Sequence, residues 1–218
     1  MKRFACFAAV AGMAALLVSC NNVSSMLGGA KYPADQTESY AKAVEILKEK
    51  IDTTKFKIFA MRFQEGEELS NDLSSISLDM VNAENYAFRQ AYYLDGREGR
   101  TNDYSTSVNE IGYAKIKGIS LSAIDPAAIG RQIEEAKQLL PEGHTFQSVS
   151  VYEISEVLPR STGLMNRGRD IGAQEADFKI CFTEDGKETE SSAGKTSYIY
   201  YEAQVTVGED GQLSIEAK

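Results

Sequence analysis

The same helical pattern occurs twice in this chain of 218 residues, and strand-like runs follow it each time. Apolar residues spaced i, i+4, i+7 and i+11 form one stripe of an amphipathic helix. The first stripe is Tyr40, Val44, Leu47 and Ile51, and the second is Ile129, Ile133, Ala136 and Leu140. The two stripes begin 89 residues apart. This spacing favours an architecture in which one helix-containing unit is followed by a second of similar length.

Local signals at the ends of the stripes place both helices. Asp35, with Glu38 three residues later, has the spacing of a capping box and predicts the start of the first helix. Asp125-Pro126 predicts the start of the second helix, with an N-cap carboxylate and proline at the first helical position. Pro141 and Gly143 predict its end.

Four strand-like runs follow each helix. They lie at 56–64, 73–82, 86–94 and 111–121 after the first helix, and at 145–157, 176–183, 197–207 and 212–217 after the second. Asp95-Gly96, Asp185-Gly186 and Asp210-Gly211 are dipeptides that support tight reversals between antiparallel strands. We therefore expect an α+β fold of two similar helix-plus-four-stranded antiparallel sheet units in tandem, 35–121 and 122–218. The alternative is one continuous α+β domain whose helices happen to look alike.

This layout resembles the tandem α-plus-four-strand modules of periplasmic inhibitor-like and PepSY-like proteins. The resemblance is one of architecture, without a sequence motif of either family. It implies a fold, and function does not follow from a fold alone.

The N-terminus carries an export signal. A positive start, Met1-Lys2-Arg3, precedes an uncharged run from Phe4 to Val18, which is short for a transmembrane helix and typical of a signal-peptide core. The run ends in Leu17-Val18-Ser19-Cys20, which resembles the lipobox of bacterial lipoproteins. The resemblance implies cleavage between Ser19 and Cys20 and acylation of Cys20, with palmitate among the acyl chains. The alternative is an ordinary secretory signal followed by an unrelated cysteine.

Residues 1–19 are thus interpreted as a signal peptide and 20–34 as a flexible tether of small and polar residues. Two or three acyl chains would hold the protein at a membrane, since each buried methylene contributes about 0.8 kcal/mol. Asn21 follows the cysteine in place of the aspartate that retains enterobacterial lipoproteins in the inner membrane. We expect a cell-envelope protein, anchored in the outer membrane and facing the periplasm. Surface exposure and a Gram-positive host stay open.

Charge and cysteine content exclude some classes of partner and bond. The formal net charge is −9, and removal of Lys2 and Arg3 with the signal makes it −11. Such a chain repels phosphate backbones, which excludes nucleic acid as a partner. Once Cys6 is cleaved and Cys20 is lipidated, Cys181 has no cysteine to pair with inside the chain.

Several predicted strands are apolar on both sides. In the first strand Phe56 and Ile58 alternate with Phe59, Met61 and Phe63. Two explanations are open: the sheets cover or continue one another, or an aromatic sheet face is exposed for a partner.

Two long loops carry unusual positive charge for an acidic protein. Pro159 to Ala173 contains Arg160, Arg167 and Arg169 beside Leu164 and Met165. Asp95 to Asn109 contains Arg97, Arg100 and Tyr104. Because long loops are either functional or disordered, these six residues, Arg160, Arg167, Arg169, Arg97, Arg100 and Tyr104, are the candidate contacts for an anionic ligand or partner.

No catalytic set is recognisable. His144 is the sole histidine and follows the second helix, while Cys181 lies in a predicted strand between apolar residues. A zinc site lacks ligands, and the acidic runs do not match the spacing of a calcium loop. We expect no catalytic residues, no metal and no cofactor.

We therefore expect a non-enzymatic, lipid-anchored envelope protein that contacts a macromolecular partner, a protein or glycan of the envelope, through a sheet face and its long loops. The alternative is a small-ligand or glycan-binding carrier of an envelope uptake system. A hydrolase that uses two carboxylates is a third possibility.

Overall fold

In the computed structural model, residues 18–19, 31–103, 112–160, 163–192 and 195–217 are described. Two helices, α1 (Thr37–Lys50) and α2 (Pro126–Gln138), accompany strands in two sheets. The strands are β1 (Val18–Ser19), β2 (Phe56–Glu65), β3 (Leu73–Asn82), β4 (Ala87–Tyr93), β5 (Asn102–Asp103), β6 (His144–Glu156), β7 (Gln174–Glu184), β8 (Thr189–Ser192), β9 (Lys195–Tyr198), β10 (Tyr201–Val207) and β11 (Leu213–Ala217).

The fold is α+β, and eight of these strands form one antiparallel sheet. Its order is β11-β10-β7-β6-β2-β3-β4-β5. The strands that follow α1, β2 to β5, occupy one half, and four of the six described strands after α2, β6, β7, β10 and β11, occupy the other. Where we expected two four-stranded sheets, the halves join because β2 pairs with β6 from Ala60–Ser155 to Gln64–Val151. This pairing satisfies backbone groups of both strands that two separate sheets would leave exposed at their edges.

A three-stranded sheet of order β1-β9-β8 lies apart from the large one. In it Val18 and Ser19 pair with Tyr198 and Ser197. These two residues directly precede the predicted cleavage site, so a mature chain beginning at Cys20 would lack β1. The lipid-attachment residue Cys20 itself lies outside the described residues.

Both helices pack on one face of the large sheet and share its main core. Tyr40 of α1, Ile133 of α2 and Phe178 of β7 are fully buried in one apolar cluster. The Tyr40 ring meets Phe63 edge-on at 5.2 Å, and Tyr152 stacks on Phe178 at 5.2 Å. The side chains of both halves therefore stabilise a common core.

Bulges explain why several strands are apolar at consecutive positions. The register of β2 shifts between Ile58 and Ala60, and this resets the alternation so that Ile58, Met61 and Phe63 all join the core under the helices. The displaced Phe59 and Ala60 enter a smaller cluster on the opposite face, covered by Ile116. The sheets continue one another, and the described strands turn no aromatic face outward.

Of the two predicted helix starts, the cap at Asp125 is confirmed and the capping box at Asp35 is wrong. Asp125 caps α2 as predicted, because its carboxylate accepts a hydrogen bond from the amide of Ala127 at 3.0 Å. The capping box predicted at Asp35 is wrong: Gln36 is the N-cap of α1 and makes no side-chain cap. Asp35 instead accepts hydrogen bonds from Lys137 and Asn71, which link α1 to α2 and to the β2–β3 turn.

The predicted strand 111–121 is also wrong. Of its described part, Tyr113–Lys115 is a short 3-10 helix, and 116–120 has no regular secondary structure and bonds to Ile58 of β2 and Glu156 of β6. The strand that completes the first half is the two-residue β5, within the segment predicted to be a loop. The run 197–207 is interrupted at 199–200, and β8 had no sequence prediction.

The predicted tether of residues 20–34 ends earlier than expected. The backbone of Tyr32 bonds to Asp72 and Leu73, and Ala34 is buried and bonds to Asn71. These contacts fix 31–34 to the β2–β3 turn. We call this end of the large sheet the tether end, and the opposite end, where β6 passes into β7, the loop end.

Candidate functional site

The candidate arginines lie at opposite ends of the large sheet. The antiparallel order places the connection after β6, with Arg160, Arg167 and Arg169, at the loop end. The connection after β4, with Arg97, lies at the tether end. One small ligand therefore does not contact both sets, and each is assessed separately.

The β6–β7 connection, residues 157–173, is a loop whose described parts are held by internal hydrogen bonds. Val157 donates to the carbonyl of Ala173, and Gly172 donates to the carbonyl of Val157, both at 2.9 Å. Further along the loop, the Asn166 side chain accepts a hydrogen bond from the amide of Arg160 at 2.6 Å and donates one to its carbonyl at 3.0 Å. This pair of bonds holds the two sides of the loop together around a single 3-10 turn, Gly163–Asn166.

The turn presents two apolar side chains to solvent. Leu164 is 82% exposed and Met165 is 56% exposed, the highest values among the exposed large hydrophobic residues of the described chain. Arg160 and Arg167 are exposed beside them in sequence. Arginine and methionine are enriched at protein interfaces, and a loop already held by hydrogen bonds loses little freedom on association.

Arg169 differs from its two neighbours. Its guanidinium donates to the carbonyl of Leu158 at 3.3 Å, and its Nε is buried without a hydrogen-bond partner. Its side chain therefore packs inside the loop and supports it, whereas Arg160 and Arg167 remain available for a partner.

The second candidate set does not form a site of its own. Arg97 pairs with Asp95 at 2.7 Å within its own turn, and its guanidinium lies 4.9 Å from the centroid of the Tyr93 ring. Arg100 is exposed on the way to β5. Tyr104 lies outside the described residues.

Beside the small apolar cluster of Phe59 and Ala60, the sheet face opposite the helices carries a charge network that the sequence analysis missed. Arg62 of β2 bonds Glu153 of β6 through two contacts of 2.8 Å and Asp79 of β3 at 2.7 Å. Arg89 of β4 also binds the fully buried Asp79, at 2.6 and 3.0 Å. The signal in the sequence was a charged side chain between apolar neighbours within a predicted strand, as at Arg62 and Asp79.

Cys181 lies on this face but is closed to solvent. Burial raises the pKa of its thiol to about 12, and the neighbouring Glu65 adds to the shift. A thiol in this state is not a nucleophile at neutral pH. Burial likewise raises the pKa of Glu65 to about 7, against hydrogen bonds from the amides of Leu69 and Asn71 and from Ser148.

His144 stands between aromatic rings. Its ring is 5.5 Å from that of Phe182 and 6.1 Å from that of Tyr201, and Nδ1 is 3.3 Å from the carbonyl oxygen of Glu142. These contacts place it in the packing at the start of β6, where no described nucleophile bonds to it.

A cleft of about 480 Å³ opens at the loop end, between α1 and segment 117–122. Lys48, Lys57 and Lys117 are among the residues that line it. The five arginines predicted to bind a partner, all within the described residues, do not line this cleft.

Comparison with known proteins identifies no relative. No family model, curated protein or solved structure matches the chain. Within the described ranges, no helix is long and apolar enough to cross a membrane. The same ranges hold no group of three or more histidine, cysteine, aspartate and glutamate side chains arranged to bind a metal.

Proposed function

We propose that this is a lipid-anchored, non-enzymatic protein of the cell envelope that binds a macromolecular partner through the 157–173 loop. The observation that carries the proposal is the exposure of Leu164 and Met165 on a turn held by Asn166, with Arg160 and Arg167 exposed alongside. Two adjacent apolar side chains on one turn offer an apolar contact to a partner, and the flanking cations select an acidic surface around that contact. The partner is a protein or glycan of the envelope.

The position of the loop supports a partner that approaches from the side away from the membrane. Residues 31–34 bind the β2–β3 turn at the tether end, and the loop lies at the other end of the sheet. A lipid on Cys20 would therefore hold the tether end towards the bilayer. We place the protein in the outer membrane, facing the periplasm, as the lipobox-like sequence and Asn21 suggest.

We also propose that the chain contains two units of one layout, 35–121 and 122–218. In each, a helix precedes four strands of the large sheet, β2-β3-β4-β5 and β6-β7-β10-β11, arranged outward from the β2–β6 junction.

The proposal is tested with full-length lipidated protein as bait in a pull-down from solubilised envelope. A stoichiometric partner should be retained by the natural chain and lost with Leu164→Ser/Met165→Ser. The control is Leu139→Ser, which changes another exposed leucine (44%) at the tether end. Retention of the partner by the double variant would contradict a role for the loop.

The anchor requires a separate test. Cells fed labelled palmitate should incorporate label into the natural chain and not into Cys20→Ala. Labelling that survives Cys20→Ala would exclude the predicted attachment site, while leaving the loop proposal intact.

A further inference from the structure

We propose that the cleft between α1 and segment 117–122 binds a small amphipathic anion, a molecule with an apolar body and a phosphate or carboxylate head. Its volume of about 480 Å³ falls within the range of small-molecule sites, roughly 300–1,000 Å³. The cleft is lined by residues outside the 157–173 loop of the proposed function, and it adjoins that loop where the Lys117 side chain lies against Gly172.

Both sides of the cleft are held in place by contacts within the fold. The last turn of α1 and the start of β2 form one side, and segment 117–122 forms the other. Ile119 donates to the carbonyl of Ile58 at 2.7 Å. The buried carboxylate of Glu156 accepts hydrogen bonds from the amides of Lys117 and Gly118, at 2.8 and 2.6 Å. The segment is thereby held in place before any ligand arrives.

Part of the lining is apolar. Ile51 and Phe56 are half-buried at the mouth, and Ile58, Ile119 and Leu121 are buried behind them. This lining suits a short hydrocarbon or ring, because burying apolar surface contributes about 25 cal/mol per Å².

Three lysines, Lys48, Lys57 and Lys117, complete the lining. The Lys57 ammonium donates to the carbonyls of Tyr113 and Ile116, at 3.0 and 2.5 Å, and lies 4.2 Å from the centroid of the Tyr113 ring. Carbonyls and a ring orient an ammonium without cancelling its charge, so the positive charge at Lys57 is preserved.

Two carboxylates near this site, those of Asp52 and Glu156, are already engaged. Asp52 pairs with Lys55 at 3.0 Å and bonds Thr54, and Glu156 is used by the two amides. Lys50 pairs with Glu98 at 3.0 Å. By contrast, among the described residues no ion pair engages Lys48, Lys57 or Lys117. An acidic protein therefore has three lysines without a described acidic partner beside an apolar lining, and this combination suits an amphipathic anion.

The test uses the full mature chain in nanodiscs of neutral phosphatidylcholine, so that no detergent competes, with empty nanodiscs as the blank. Isothermal titration calorimetry measures the binding of three probes: hexyl phosphate, inorganic phosphate and the uncharged hexyl glucoside. We expect one hexyl phosphate per chain, with a Kd at least about tenfold below those of the other two probes, because only it meets both parts of the site.

Lys48→Gln/Lys117→Gln should weaken hexyl phosphate binding about five- to tenfold, as expected for two partly solvated charges. The matched control, Lys50→Gln/Lys55→Gln, removes two nearby charges that already have acidic partners and should leave Kd within about twofold. Lys57 stays unchanged because it holds the 113–116 backbone. Equal binding of inorganic phosphate or hexyl glucoside, or equal losses in the two double variants, would overturn the proposal.

Discussion

The guanidinium of Arg62 binds both carboxylate oxygens of Glu153 at 2.8 Å and thereby joins β2 to β6. These are the strands at which the N-terminal and C-terminal halves of the large sheet meet. The third contact of Arg62 reaches the fully buried Asp79 at 2.7 Å. One side chain on the sheet face opposite the helices thus connects the three strands β2, β3 and β6 across the junction.

Arg62→Met is expected to lower the free energy of unfolding by about 2–3 kcal/mol. The buried Asp79 would keep Arg89 but lose one of its two cationic partners, and removal of one partner leaves an undercompensated buried charge. Urea titration at neutral pH measures the effect. The control Arg97→Met removes an exposed pair and should change stability by less than about 0.5 kcal/mol. Equal losses in the two variants would contradict this account.

Glu65 should make the protein less stable as pH rises from 4.5 to 7. Burial raises the pKa of the folded carboxyl from an ordinary 4.5 to about 7, so in this interval the folded chain holds a proton that the unfolded chain has released. Proton binding to the folded state makes the free energy of unfolding fall with increasing pH, here by about 2 kcal/mol.

Glu65→Gln should remove this dependence, since the amide does not titrate; the Leu69 and Asn71 amides bond different oxygens of Glu65, so the single oxygen of glutamine keeps one of these two hydrogen bonds. Urea titrations at pH 5 and pH 8 give the difference between natural chain and variant. Glu67→Gln, an exposed change in the same turn, is the control and should keep the natural slope. If Glu65→Gln retains the full slope as well, another group is responsible.

Gly130 allows α1 and α2 to approach closely. A Cβ at this position would lie 2.3 Å from the Thr37 hydroxyl, so Gly130→Ala should destabilise the protein by about 1–3 kcal/mol. In Gly130→Ala/Thr37→Ala the hydroxyl is gone, and the helix preference of alanine over glycine should recover most of the loss. Thermal unfolding of the four proteins in this cycle measures the coupling. Additive effects would show that the two residues do not clash.

Alanine substitutions at Arg169 and Arg160 should distinguish an effect on the stability of the protein from an effect on partner binding. Arg169→Ala removes the contact with Leu158 and the packing inside the loop, and should cost about 1–2 kcal/mol. Arg160→Ala removes an exposed side chain and should change stability by less than about 0.5 kcal/mol while weakening partner binding. Melting temperatures and pull-down yields, measured together, test the distinction. A loss of binding confined to Arg169→Ala would contradict the assignment.

Short-range patterns in the sequence were sufficient for several elements. The i, i+4, i+7 stripes predicted both helices, and Asp125-Pro126 predicted the start of α2, because helix contacts and caps lie within a few residues of each other. A loop from Pro159 to Ala173 was also predicted from its length and charge, and the structure extends it to 157–173. The lipobox-like sequence at Cys20 is equally local, and its role stays a prediction.

Tertiary structure alone decided the features that join distant segments. Arg62 and Glu153 are 91 residues apart, and no local pattern indicates that β2 and β6 pair. Bulges in β2 and β6 decided which apolar side chains enter the core, and the sheet order separated Arg97 from Arg160. The physical reason is the same in each case: the amino-acid pattern specifies which face of an element is apolar, but pairing and register depend on which strands best satisfy one another's backbone.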